Sequence, residues 1–196
     1  MTLADKITSS RLVLAPLFFI IYILPRFFPS VFSAVWTVPV LWVLFLVSEI
    51  TDMLDGMAAR KRGEVSDFGK LYDPFADTLT QITFFFCFVI DGVLPPLLFL
   101  VVLYREFSIL FIRNLMLKKG ITLGARMSGK VKTVAYIIAV GFALLASSIA
   151  RLDLSVELYL WAVMAAKVVF AISVVIAVVS FIDYFTIFLK KPAKTD

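Results

Sequence analysis

Six apolar stretches constrain this chain more than any other feature: Ser10 to Leu24, Val31 to Thr51, Phe75 to Ile90, Val93 to Met116, Val131 to Ala150 and Leu158 to Leu189. Each is long enough, or nearly so, to cross a hydrocarbon core, which takes about 20 helical residues. The expected fold is therefore all-α: a polytopic membrane protein with six transmembrane helices and a short N-terminal interfacial segment. Residues 1–196 read as a single membrane domain, because no polar segment is long enough for a separate soluble one. The composition agrees, with 62% hydrophobic and only 17% charged residues, where a soluble domain carries about 25% charged. The first apolar run is short enough to imitate a signal-peptide core. Pro25-Arg26-Phe27-Phe28 follows it instead of a small-residue cleavage site, so it reads as retained.

Lysine and arginine accumulate in cytoplasmic loops. Placing the N-terminus in the cytoplasm puts all of the 19 basic residues on that side except Arg26, Arg151 and Lys167. Both termini are then cytoplasmic, and the chain belongs in the cytoplasmic membrane. The net charge of +5 expresses this topology and attraction to anionic lipid, and needs no nucleic acid. Cys87, inside Phe84-Phe85-Phe86-Cys87-Phe88, reads as a buried packing thiol. The absence of histidine removes Ser-His-Asp, Cys-His and His-ligated zinc chemistry. Acid, base and ligand roles fall to carboxylate, lysine, tyrosine or hydroxyl groups.

The acidic residues between Ser48 and Thr80 are not scattered. Asp52 and Asp55 are three apart, Asp73 and Asp77 four apart, spacings that stack side chains on one helix face. The polar break around Arg60-Lys61-Arg62-Gly63-Glu64 lets an antiparallel hairpin bring the two pairs together. An aspartate at the centre of a membrane helix costs about 2.5 to 3.5 kcal/mol, and four in one pocket also repel one another. Two divalent cations offset this, and hard oxygen ligands suit magnesium or manganese. Paired metals are a recurring device for phosphoryl-type displacement. The competing explanation, helix capping or pairing with Arg60 and Lys61, suits one aspartate better than four. Small residues nearby, Gly56, Ala59 and Gly69, admit close approach of a ligand, although helix packing also favours them.

Asp52-x-x-Asp55-Gly56-x-x-Ala59-Arg60, eight residues, then Gly69-x-x-x-Asp73-x-x-x-Asp77, resembles the signature of the CDP-alcohol phosphotransferases position for position. The resemblance implies metal ligation by Asp52, Asp55 and Asp73, with Asp77 as general base and further ligand. It implies that Gly56, Ala59, Arg60 and Gly69 border the CDP-lipid, and that the protein is a homodimer. Three further segments narrow the likeness to the branch that joins CDP-diacylglycerol to sn-glycerol 3-phosphate: Ile7-Thr8-Ser9-Ser10-Arg11 with Pro16, Arg105-Glu106 with Arg113, and Gly129-Lys130-Val131-Lys132-Thr133. Arg105 and Arg113 lie about two turns apart on one helix face. With Arg11, Lys130 and Lys132 they are the expected site for the acceptor's phosphate. Thr78 departs from the branch, which carries a lysine after the last aspartate. Inositol phosphate, serine or phosphatidylglycerol stay open as acceptors. A carboxylate-lined cation transporter is the rival from another class, although the acids cluster at one end and the other end offers only isolated polar groups such as Lys167. Gly124 to Lys130 imitates a phosphate loop, but Val131 replaces its Ser or Thr and no strand precedes it. Asp183 and Lys167 receive no role.

Overall fold

The computed structural model describes residues 3–62, 67–118 and 127–190, with the side chains of 3–7, 53–62, 67, 68 and 70 left out. All regular structure among the described residues is helical: α1 (Leu3–Phe27), α2 (Ala34–Arg62), α3 (Asp67–Ile90), α4 (Pro96–Lys118), α5 (Met127–Arg151) and α6 (Val156–Lys190). An isolated strand in lipid leaves its backbone polar groups unsatisfied, whereas a helix satisfies them within itself. The expected N-terminal interfacial segment is continuous with the first apolar helix, since α1 runs unbroken from Leu3.

Among the described residues four spans are long and apolar enough to cross a membrane: Thr8–Phe27, Ala34–Asp52, Met127–Arg151 and Val156–Lys190. α3 and α4, of 24 and 23 residues, are long enough too, at about 1.5 Å rise per residue. They differ by carrying Asp73 and Asp77, or Arg105, Glu106 and Arg113, within the helix. The same residues that lower the hydropathy of α3 and α4 are the candidate functional ones.

Local chemistry sets the helix ends. Ser33 accepts from the backbone N–H of Val35 at 3.3 Å, and Ser155 from that of Leu158 at 3.4 Å, capping α2 and α6. Gly92, at φ 72°, terminates α3 in the left-handed conformation. The N–H groups of Val93 and Leu94 then return to the carbonyl of Phe88.

α5 packs on α6 along its length, α1 lies against both α2 and α3, and α4 is held between α3 and α6. Alanines make the α5–α6 approach close: Ala139, Ala143, Ala146, Ala166 and Ala177 are all buried. An aromatic layer fills the centre. Phe84 lies 4.6 Å from Phe18 and 5.9 Å from Phe45, while Phe85 meets Phe170 at 4.8 Å and Tyr136 at 5.1 Å, measured between ring centroids. Cys87 is buried among these rings as a free thiol.

Beyond this layer, away from the aspartates, the expectation of isolated polar groups is corrected. Asp91 accepts from Tyr22 Oη at 2.7 Å, Arg26 Nη2 at 3.1 Å and Arg151 Nη2 at 3.3 Å. Arg151 also donates to the Tyr22 carbonyl at 3.0 Å and stacks over the Tyr22 ring at 4.1 Å. These groups come from the ends of α1, α3 and α5, which the sequence keeps far apart, so only the folded bundle reveals the clasp. Replacing Asp91 by asparagine leaves two arginines sharing an amide, a loss of about 1–3 kcal/mol. We expect D91N to lower the unfolding midpoint in detergent by several degrees while CMP release per folded molecule stays within twofold. An unchanged midpoint would show that the clasp does not hold the bundle.

Candidate active site

The start of α1 faces the start of α3 and the middle of α2, and there Arg11 reaches three carboxylates at once. Its guanidinium, 2% exposed, donates to Asp52 of α2 and to Asp77 and Asp73 of α3. The contact to Asp73 measures 2.6 Å. Thr8 adds a donor to Asp73 at 3.5 Å, and Ser9 pairs with Tyr72 at 2.9 Å. Asp52, Asp73 and Asp77 each offer an oxygen within 4.8 Å of the other two. The i, i+4 spacing of Asp73 and Asp77 thus converges with Asp52 across a helix pair.

Charge decides what this pocket can hold. Among the described side chains, three carboxylates surround one guanidinium in a half-buried site, an excess of acid over base. A divalent ion balances that excess, and clustered carboxylate oxygens suit a hard cation. The residues present therefore fit a divalent metal. Asp55, Gly56, Ala59 and Arg60 were expected at the same site; their side chains lie outside the described residues, on the last turns of α2. Gly69 lies one turn before Asp73 on α3, and Thr78 is buried.

Four of the five basic residues expected to capture phosphate divide into three groups. Arg11 is on the aspartates. Arg105 and Lys132, 7% and 8% exposed, converge instead on Glu106, a residue given no separate role in the sequence reading. Arg105 Nη1 meets Glu106 Oε1 at 2.8 Å, and Lys132 Nζ lies 3.2 and 3.4 Å from the two Glu106 oxygens. Lys132 Nζ also approaches Gln81 Oε1 at 3.5 Å, and Gln81 is one helical turn beyond Asp77. Arg113 forms the third group, turned to Tyr184 of α6, whose hydroxyl it meets at 3.4 Å. The Arg113 Nε is buried with no hydrogen-bond acceptor among the described residues, on the same helix as Arg105. Lys130, two residues before Lys132, is exposed.

The motif around Gly129 packs against this region. A methyl group on Gly129 would come within 3.3 Å of the Tyr184 hydroxyl. Ser128 donates to Asp183 at 2.8 Å, tying the start of α5 to the end of α6 and giving Asp183 the contact the sequence did not supply.

Aspartates drawn from two helices around one guanidinium lie in a sequence that matches a known family over most of its length. Residues 1–179 match the family described as CDP-alcohol phosphatidyltransferase. The chain belongs to that family. It is 38% identical to the CDP-diacylglycerol–glycerol-3-phosphate 3-phosphatidyltransferase of Treponema pallidum (strain Nichols) over 193 residues, covering 96% of this chain and 89% of that protein. The protein of the same name from Bacillus subtilis (strain 168) is 35% identical over 147 residues, 73% of this chain and 76% of the relative. A probable phosphatidylglycerophosphate synthase of Mycobacterium tuberculosis is 30% identical over 182 residues, 93% and 79% of the two chains. The chain is accordingly a phosphatidyltransferase, and the polar residues of α3 and α4 are candidates for its working groups.

Proposed function

We propose that this phosphatidyltransferase moves the phosphatidyl group of CDP-diacylglycerol to sn-glycerol 3-phosphate, yielding phosphatidylglycerophosphate and CMP. The observation that carries this reading is the juxtaposition of the aspartate cluster with Lys132, joined through Gln81 one turn from Asp77. It puts a donor-activating end beside an anion-binding end. Relatives named for this reaction, similar over most of their length, support the same acceptor.

In this reading Asp52, Asp55, Asp73 and Asp77 hold magnesium or manganese, two ions per site, which when bound neutralise charge on the diphosphate. Gly56, Ala59, Arg60 and Gly69 border the CDP group. Asp77 takes the proton from the primary hydroxyl of glycerol 3-phosphate as that oxygen attacks the phosphorus bearing diacylglycerol. A new P–O bond forms, the P–O bond to CMP breaks, and the electron pair leaves on CMP. Lys132 and Arg105, with Arg113 and Lys130, orient the acceptor's phosphate, and Arg11 steadies the aspartates. Positioning and charge stabilisation supply most of the acceleration.

The acyl chains of the donor stay in the bilayer. All six helices cross it, both termini and the aspartate end face the cytoplasm, and residues 1–196 form one domain that works as a homodimer in the cytoplasmic membrane. The rival cation path finds no support among the described residues. Along α1 and α3, Phe18, Phe84 and Phe88 fill the space between the aspartates and Asp91, a separation of about 21 Å along α3.

Purified protein with CDP-diacylglycerol and each candidate acceptor in turn provides the test. CMP release is expected with glycerol 3-phosphate and to be at least tenfold slower with inositol phosphate, serine or phosphatidylglycerol. Faster release with any of those three would move the acceptor assignment while leaving the family intact.

A further inference from the structure

We infer that Glu106 is a positioning residue that clamps Lys132 at the acceptor end of the site. The inference rests on the reading of Lys132 as a ligand for the acceptor's phosphate.

A carboxylate 3% exposed in the middle of an apolar helix costs several kcal/mol to desolvate unless it is well paired. Arg105 alone would suffice as partner. Its guanidinium is already aimed at Glu106 by two bonds to α6, from Nε to the Ala177 carbonyl at 3.1 Å and from Nη2 to Ser180 Oγ at 3.2 Å. Yet a second cation is brought from α5, and Lys132 Nζ spans both Glu106 oxygens. Burying that ammonium costs desolvation that a structural pair does not require, and an apolar residue in its place would be cheaper.

The direction of the bonds gives the reason. Arg105 is held on three sides and has little freedom to follow a ligand. Lys132 carries a point charge on a flexible four-carbon stem, so its place must be set from outside. Glu106 sets it from one side and the Tyr136 ring, 4.6 Å below the ammonium, from another. The remaining direction points toward Gln81, hence toward the turn of α3 that carries Asp77. Two cations and one carboxylate leave one positive charge, and it is presented where an anionic acceptor must lie for its hydroxyl to reach Asp77.

The test is a kinetic cycle on full-length protein in lipid–detergent micelles, with Glu106→Gln, Lys132→Met and the double variant. Lys132→Met is expected to raise the KM for glycerol 3-phosphate at least tenfold. Glu106→Gln should raise it by a similar factor while the KM for CDP-diacylglycerol stays within twofold, and in the Lys132→Met background it should add nothing. Contacting residues that act through one another show this non-additivity. The inference is overturned if Glu106→Gln leaves the glycerol 3-phosphate KM unchanged, shifts both KM values alike, or multiplies with Lys132→Met. If Lys132→Met itself leaves that KM unchanged, the acceptor reading of Lys132 fails and takes the inference with it. Should Glu106→Gln not fold, Glu106→Asp keeps the charge and shortens the arm by one methylene. A rise of about threefold or more in the glycerol 3-phosphate KM alone then supports the clamp, and an unchanged KM overturns it.

Discussion

Replacing Asp77 by asparagine is expected to reduce CMP release from CDP-diacylglycerol by about 10³-fold or more. A positioned general base contributes about 10²–10⁴-fold, and the amide also removes one of the three charges gathered within 4.8 Å. Asparagine keeps the shape and can still accept from Arg11, so the fold should survive. The readout is single-turnover formation of labelled CMP by protein whose unfolding midpoint is within a few degrees of the parent. Activity retained within tenfold would assign the proton transfer elsewhere and leave Asp77 as a structural partner of Arg11.

Arg11 carries the second large effect, and its sign depends on metal. In Arg11→Ala three carboxylates face one another with no guanidinium between them. Breaking a fully buried ion pair costs about 3–5 kcal/mol. The aspartate side chains here are 34%, 48% and 34% exposed, so solvent screening lowers the expectation to about 2 kcal/mol. In chelator the variant should therefore unfold several degrees below the parent. Millimolar magnesium should recover most of that loss, because the ion binds the folded state alone and stabilises by mass action. The parent, which keeps its internal cation, should respond less. A variant as stable as the parent in chelator would show that Arg11 contributes little to the cluster. A loss that magnesium fails to recover would argue against a divalent site.

These effects separate what the sequence makes legible from what it conceals. The aspartate pairs are readable because their logic is local: three- and four-residue spacing on a helix fixes a shared face whatever the rest of the chain does. Arg11 is readable as a basic residue in a family segment but not as the partner of Asp52 and Asp77, which lie 41 and 66 residues away. Glu106 is the sharper case. Adjacent helical residues do not normally face each other, so the Arg105-Glu106 dipeptide suggests no pair. The contact arises because α6 turns the guanidinium back and α5 delivers Lys132. The clasp at Asp91 was hidden for the same reason, since Arg26 and Arg151 first appear as exceptions to a charge rule.

Helix number shows a different limit. Apolar length identifies α1, α2, α5 and α6 readily. In α3 and α4 the charges proposed for catalysis and acceptor binding dilute the signal that defines a span, so in that reading function and hydropathy compete for the same residues. The phenylalanines of α3 restore what the aspartates remove. Phe84, Phe85 and Phe88 are buried and anchor the helix that must also carry Asp73 and Asp77.

The sequence separation of these contacts has a consequence for how the protein is made. Chains emerge from the ribosome N-terminus first. Asp52, Asp73 and Asp77 are all present once residue 77 has been made, so three helices can pair them with Arg11 before the rest is synthesised. Glu106 has only Arg105 to meet when α4 is made, and must wait for α5 to bring Lys132 and for α6 to bring Ala177 and Ser180, which aim Arg105. The nascent enzyme thus assembles its aspartate cluster early and its Glu106 cluster last. A ribosome stalled between α4 and α5 would hold an acid–base pair still short of its second cation.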